Sequence, residues 1–288
     1  MNRINIQLMK NNLLSLLLLV SLCGRAQYYY KDILGTVETS NLLKTYTDNK
    51  VKSVSLKSFD ADGSPSNGFF VEQVMVSRDR VLKTTTRSGV TDESILSTWF
   101  DEGARVIKTT DTTPTSINTS VYSYDAQGRL ASFKSYSGDT SRKGIELEDH
   151  QWSYNASGQP VQMLRIINST DTTVIKFVVD ENGNITQETI YKKGKAGDPV
   201  YYYYNDKKQL TDIVRYNYKL RRLLPDYMFE YSDAGQVIQK ITVPSNKASD
   251  YLIWRYQYDG KGLKVKEALF NKDKQITGKI EYNYQYGE

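Results

Sequence analysis

From about residue 95 to the C-terminus, apolar and polar positions alternate with a period of two. Ile280, Tyr282, Tyr284 and Tyr286 fall on one side of a segment and Glu281, Asn283 and Gln285 on the other. Trp254, Tyr256 and Tyr258 alternate likewise against Arg255 and Gln257. Period two predicts strands, and one polar face predicts an antiparallel sheet wetted on one side. Segments 174–179 and 201–204 are apolar on both faces, which predicts central or doubly covered strands. Upstream the pattern changes. Leu42, Leu43 and Tyr46 recur at helical spacing behind Ser40 or Asn41, so one short helix is predicted near 40–48 with either as cap. Alternation resumes over 51–59.

Turn signals punctuate the alternation at regular intervals. Asp101, Asp125, Asn155, Asp180, Asn205, Ser232 and Asp259 each follow an aromatic or apolar run, spaced 24 to 30 residues apart. Asp or Asn opening a turn with Gly three residues later is a type I signal, because the side chain bonds nearby backbone and Gly accepts positive φ. Ser/Thr/Asp clusters at 110–113, 137–140 and 170–173 supply the intervening turns. Both connections of a hairpin chain are visible, which predicts an up-and-down meander. A sheet of so many strands must curl, close or fold over. The expected fold is therefore all-β: a strongly curved or wrapped sheet of hairpin repeats, aromatic face inward, with one short N-terminal helix. No linker divides residues 27–288; 27–95 is an atypical portion and 95–288 carries the repeats.

The first 26 residues read as a secretory leader: Arg3 and Lys10, the apolar run Leu13 to Leu22, then Gly24-Arg25-Ala26 at a cut site leaving Gln27 first. The run is shorter than the roughly 20 residues a membrane span needs, so no transmembrane segment is expected in the mature chain. Cys23, the sole cysteine, would be the lipid-bearing residue of a lipoprotein, but Leu22 stands where such sites carry a small residue. The mature chain then has neither disulfide nor thiolate chemistry. Removing three cations lowers the net charge from +5 to 35 − 33 = +2, which argues against a nucleic-acid partner.

The copy Tyr122-Ser-Tyr-Asp-Ala-Gln-Gly-Arg-Leu130 resembles the YD repeat of RHS-type bacterial surface and toxin-shell proteins, and copies at 152, 177, 202, 229 and 256 follow it with drift. The whole chain also looks like small secreted YD-repeat proteins of Bacteroidetes-type bacteria. The resemblance implies non-catalytic hairpin sheets that wrap. The chain is far too short for a closed shell and no toxin module follows its last repeat, so enclosure of a cargo is not implied.

Candidate chemistry is sparse. His150, the sole histidine, stands near Glu146, Glu148 and Asp149; on a strand, Glu146, Glu148 and His150 share a face, read as a polar outer face rather than an acid–base pair. Asp60-Ala-Asp-Gly63 and Asp180-Glu-Asn-Gly-Asn184 lack the full spacing of a calcium loop and read as turns. The runs 192–195 and 219–222 read as solvated basic loops. The surplus of Tyr (23 of 288) and Trp carries the functional pull: open aromatic faces suit sugar rings or extended peptides. The contact candidates are Trp152, Trp254, Tyr202, Tyr204, Tyr256 and Tyr258. The expectation is an exported, non-enzymatic binding or structural protein of the periplasm or cell surface. It has no metal or cofactor, and its partner is a glycan, peptide or envelope protein. The alternative is a glycan-binding or carbohydrate-active protein.

Overall fold

The computed structural model describes residues 27–89, 91–139, 146–244 and 250–287. Residues 1–26, over which a leader is expected and which include Cys23, lie outside them. A π-helical stretch, Tyr29–Leu34, runs directly into α1, Gly35–Asp48. Nineteen strands follow: β1 Val51–Asp60, β2 Phe70–Val76, β3 Val81–Arg87, β4 Ser94–Phe100, β5 Val106–Thr112, β6 Ser116–Tyr124, β7 Leu130–Asp139, β8 Glu146–Tyr154, β9 Pro160–Ile167, β10 Asp171–Val179, β11 Ile185–Lys192, β12 Lys195–Ala196, β13 Val200–Tyr204, β14 Leu210–Asn217, β15 Arg222–Tyr231, β16 Val237–Thr242, β17 Leu252–Tyr258, β18 Lys264–Phe270 and β19 Ile276–Tyr286.

Each strand pairs antiparallel with its neighbour in sequence, and β1 closes the ring on β19 from Val51↔Tyr286 to Asp60↔Gly278. The two-residue β12 pairs with β11 alone while β13 takes over the ladder, so 18 of the 19 strands form a closed antiparallel barrel. Closure leaves none of those 18 strands at the border of an open sheet.

One rim is built by the seven Asp/Asn/Ser turns. In the turn after β6, Gly128 N–H donates to Asp125 O at 2.9 Å and Asp125 N–H to Arg129 O at 2.9 Å. Asp125 Oδ1 accepts the N–H groups of Gln127 and Arg129. A register shift follows between Ser123 and Tyr124. This is a type I turn closed by a left-handed residue and a bulge. That fourth position needs positive φ: Gly128 has +78°, but Ala104 and Lys208, at +63° and +60°, hold the same position without glycine. Asp180 is built the same way, its Oδ1 taken by Asn182 and Asn184 N–H. These bonds hold its carboxyl below the usual range, so the loop is a turn.

Five of the seven turn residues follow a tyrosine, and that tyrosine has its own task. Tyr124 OH donates to Val106 O, Tyr154 to Leu130 O, Tyr204 to Ile185 O, Tyr231 to Leu210 O and Tyr258 to Val237 O, at 2.7–2.9 Å. Each hydroxyl reaches back one hairpin and ties its turn to the previous one. Phe100 and Val179 stand in the tyrosine's place before Asp101 and Asp180, and neither side chain has a hydroxyl to make the tie.

The strands alternate inward and outward as expected. Leucine and isoleucine at the strand starts beside this rim, Leu130, Ile185, Leu210 and Leu263, are buried. The doubly apolar segments, however, are not doubly covered. Val178 and Tyr203 are about half exposed on the outer face, because a closed ring makes every strand central without a second layer. The helix also departs from expectation. It passes through Ser40 and Asn41 without a cap there and starts well before them, with Leu43 and Tyr46 buried and Leu42 turned outward.

Candidate functional site

The helical segment occupies the bore. Tyr46 OH donates to Gln73 of β2 at 2.7 Å and its ring meets Tyr284 of β19 edge-on. Tyr29 meets Tyr202 of β13 edge-on, and Gln27 N–H reaches Glu188 of β11. β2 and β11 are half a ring apart, so the segment crosses the barrel from wall to wall. Its C-terminal half joins an apolar cluster: Leu43, Tyr46, Val51, Val54, Leu56, Val71, Leu82, Phe100, Val106, Leu263 and Ile280. Its N-terminal half lies on a second cluster around Met163, Ile175, Ile185, Tyr202 and Ile213, and there it meets the wall's charges.

The first charge group centres on His150. Its Nδ1 lies 2.6 Å from Asp32 Oδ2 on the helix, and its Nε2 lies 2.7 Å from Glu148 Oε1 on the same strand. Arg165 grips Glu148 through Nε at 2.6 Å and Nη2 at 3.2 Å. Burial alone would lower the His150 pKa, but Asp32 and Glu148 overcome it and raise it to about 9. Burial alone would raise Glu148, but hydrogen bonds from His150 and Arg165 hold it at about 2. An imidazole with a carboxylate on each nitrogen keeps both protons and has no lone pair for proton abstraction. The four residues form a neutral chain, two acids and two bases. Glu148 and His150 face the interior rather than solvent, which corrects the outer-face reading: the polar face of β8 is spent on the helix.

The second group holds the start of the helix. Glu188 Oε1 accepts Gln27 N–H at 2.9 Å and Tyr28 N–H at 3.1 Å; Oε2 accepts Tyr29 N–H at 3.1 Å and Tyr202 OH at 2.8 Å. The first-turn amides of a helix have no partners within the helix, and a wall carboxylate supplies them in place of a local cap. Beside it, Asp226 accepts the Gln27 amide at 2.7 Å and pairs with Arg215. In the third group, Lys240 Nζ lies 4.9 Å from the Tyr227 ring centre and 5.8 Å from those of Tyr30 and Phe229. Burial lowers its pKa, and Glu38 on the helix opposes that.

The six aromatic candidates all lie within this architecture. Trp152 is buried and stacks on Phe177 at 5.1 Å. Tyr202 is buried against Glu188, and Trp254 is buried. Tyr204 and Tyr258 are half-buried with their hydroxyls in the rim ladder, and Tyr256 lies under Lys264 Nζ at 4.4 Å. A stacking platform needs an open ring face, and the three buried side chains offer none. Sequence reasoning passed over Asp32, Arg165, Glu188, Arg215, Asp226 and Lys240. The available signal was a charge at an inward position between apolar inward neighbours, as Glu188 stands between Ile185 and Ile190.

The outer face bears a cleft of about 440 Å³ over β15–β17, lined chiefly by Leu224, Pro225, Met228, Ile241, Val243 and Ile253, with Gln239 and Arg255. Met228, Ile241 and Ile253 alternate with the inward Phe229, Lys240 and Trp254, which places the cleft outside. Elsewhere the outer face is charged at mid-strand: Lys57, Lys83, Lys108, Lys134 and Lys176 are exposed. Among the described residues, no helix is long and apolar enough to cross a membrane.

No protein-family model matches the chain, and no curated protein matches it. Among solved structures, it is similar to a porin-like protein from Bacteroides uniformis (10% identity, TM-score 0.43, covering 82% of this chain and 97% of that one). It is also similar to a chain of the TcdB2-TccC3-Cdc42 complex (13% identity, TM-score 0.34, covering 75% of this chain) and to one of the Photorhabdus luminescens Tc holotoxin pore (12% identity, TM-score 0.33, covering 76%). The chain spans 12% of the length of each of these last two.

Proposed function

We propose that the mature chain is an exported, non-enzymatic barrel of YD-like hairpin repeats that acts as a binding or structural module in the periplasm or at the cell surface. The observation that carries this reading is the filled bore. The interior acids and bases are spent on the helix–wall contact instead of converging on an open cavity, so partners are met on the outside. The YD reading draws support from the recurrent turn and the tyrosine tie, which give each motif position a mechanical role. The outer lysines support a barrel that sits in water, since a lipid-facing lysine or arginine at mid-bilayer costs about 2–4 kcal/mol.

The outer cleft is the ligand-sized feature. Its apolar lining with a few polar groups suits an apolar ligand or side chain. A glycan reading has its own observation: Tyr203, Tyr216 and Tyr218 are exposed, and the last two rings pack edge-on at 5.0 Å. The test is to purify residues 27–288 without detergent and titrate them with an apolar fluorescent probe, a peptide panel and a glycan panel. Cleft binding is expected to be lost in Met228→Arg and kept in His150→Gln. Glycan binding lost in Tyr216→Ala would favour the second reading. A chain that is soluble only in detergent, or a turnover activity abolished by His150→Gln in a folded variant, would overturn the proposal.

A further inference from the structure

Gln27 sits where a chain end belongs. Its residue is 4% exposed, its backbone nitrogen lies 2.9 Å from Glu188 Oε1, and its side-chain amide donates to Asp226 Oδ2 at 2.7 Å. Glu188 is 0% exposed. Among the described residues its four partners, the N–H groups of residues 27–29 and the Tyr202 hydroxyl, are all neutral donors. A buried carboxylate without a counter-ion is costly even when fully hydrogen-bonded. The neighbouring cation is already committed: Arg215 is paired with Asp226 through Nε and Nη2.

A second observation is backbone geometry. Gln27 has φ +144°, a region that costs a non-glycine residue on the order of 1–3 kcal/mol. That angle is defined by the carbonyl of the preceding residue, so the strain exists only while a peptide bond precedes Gln27. The third observation is the leader pattern, whose small residues end at Ala26.

We propose that Gln27 is the mature amino terminus and that its α-ammonium group is the counter-ion of Glu188. Leader removal thus supplies the last charge of the helix–wall contact. Hydrolysis of the bond between Ala26 and Gln27 consumes one water, leaves a carboxylate on Ala26 and frees an amine that takes up a proton. One N–H donor becomes three, a unit positive charge arrives at Glu188, and the strained angle ceases to exist. The same contacts protect the terminus from closing into a pyroglutamate ring with loss of ammonia, because the nucleophilic nitrogen is held by Glu188 and the amide by Asp226. The inference rests on the exported reading above.

The test begins with the intact mass of the chain recovered from the cell envelope after expression of the full gene. A mass matching residues 27–288 with an uncyclised glutamine is expected. A start at any other residue, a lipid on Cys23 or a loss of 17 Da would overturn the inference while leaving export intact, whereas an uncut chain held in the cytoplasm would sink the exported reading itself. The second measurement is a thermal-unfolding cycle with Glu188→Gln in two backgrounds: the chain starting at Gln27 and the same chain bearing a Gly-Gly extension. The substitution is expected to lower Tm on the order of 5 °C in the first and to change it little in the second. Equal effects in both would show that the terminal charge contributes nothing at Glu188.

Discussion

Both halves of the plug pack on apolar wall clusters, but the N-terminal half adds charge. The C-terminal half, around Leu43 and Tyr46, is packed into aliphatic and aromatic side chains from β1 to β5 and β18 to β19. The N-terminal half, from Gln27 to Glu38, packs Tyr28, Tyr29, Tyr30, Ile33 and Leu34 on the second cluster and is bound by charge as well: Glu188 on its first amides, His150 on Asp32, and Lys240 on Tyr30 and Glu38. Burial of apolar surface is strong but indifferent to small changes of orientation. Ion pairs add little net energy once desolvation is counted, yet they are costly to leave half-made. Apolar burial therefore supplies most of the attachment in both halves, and the charges of the N-terminal half set the rotation and depth of the helix. Such a division predicts that damage to the apolar contacts loosens the plug, whereas damage to the charged contacts misplaces it.

The comparison can be broken first at its apolar side. Leu43→Ala should cost about 2–4 kcal/mol, seen as a lower midpoint in urea unfolding. At the charged side, Asp32→Asn should cost about 2–3 kcal/mol, because Asp32 is one of the two carboxylates that hold the His150 proton. Asp32→Asn with His150→Gln should cost less than the sum of the single changes; an additive result in the double-mutant cycle would mean that the two do not act as a pair.

A pH series sharpens the same side without mutation. His150 holds its proton to about pH 9 when folded, against 6.5 when unfolded. Its contribution is therefore complete below pH 6.5 and is lost as pH rises from 6.5 to 9. Glu148, held at about 2 against 4.5, contributes fully above pH 4.5 and fades as pH falls toward 2. Thermal stability should be highest between pH 4.5 and 6.5, and the fall on the alkaline side should vanish in His150→Gln. The smallest effect concerns the wall alone: Ala104→Gly and Lys208→Gly should each raise stability by about 0.5–1 kcal/mol by relieving positive φ, with no change in the pH profile.

Legibility followed the range of the interactions. Strands, the turn aspartates and glycines, and the inward aromatic face are local or period-two properties, and they stand in the sequence at Tyr122–Leu130 as in the structure. The task of the tyrosine before five of the turns was not legible, because its hydroxyl bonds a residue about 20 positions earlier. Closure was not legible either, since nothing in β1 or β19 alone announces their register. The start of the helix shows the same limit most clearly. Its cap is Glu188, which lies 161 positions from Gln27, so a search for a local cap stops at Ser40. The buried aromatics show the converse: Trp152, Trp254 and Tyr202 have the composition of a binding surface and the placement of a core.

The seam between β1 and β19 has a consequence for how the molecule is made. It joins residue 51 to residue 286, so the ring cannot shut until the chain has been made through β19, and contacts of such high separation slow folding. Until then the nascent wall is an open sheet with two adhesive borders wrapped around an apolar rod. Loss of the last dozen residues therefore does not trim a tail: it leaves β18 and β1 as permanent free borders, and the expected product is an aggregate rather than a smaller barrel.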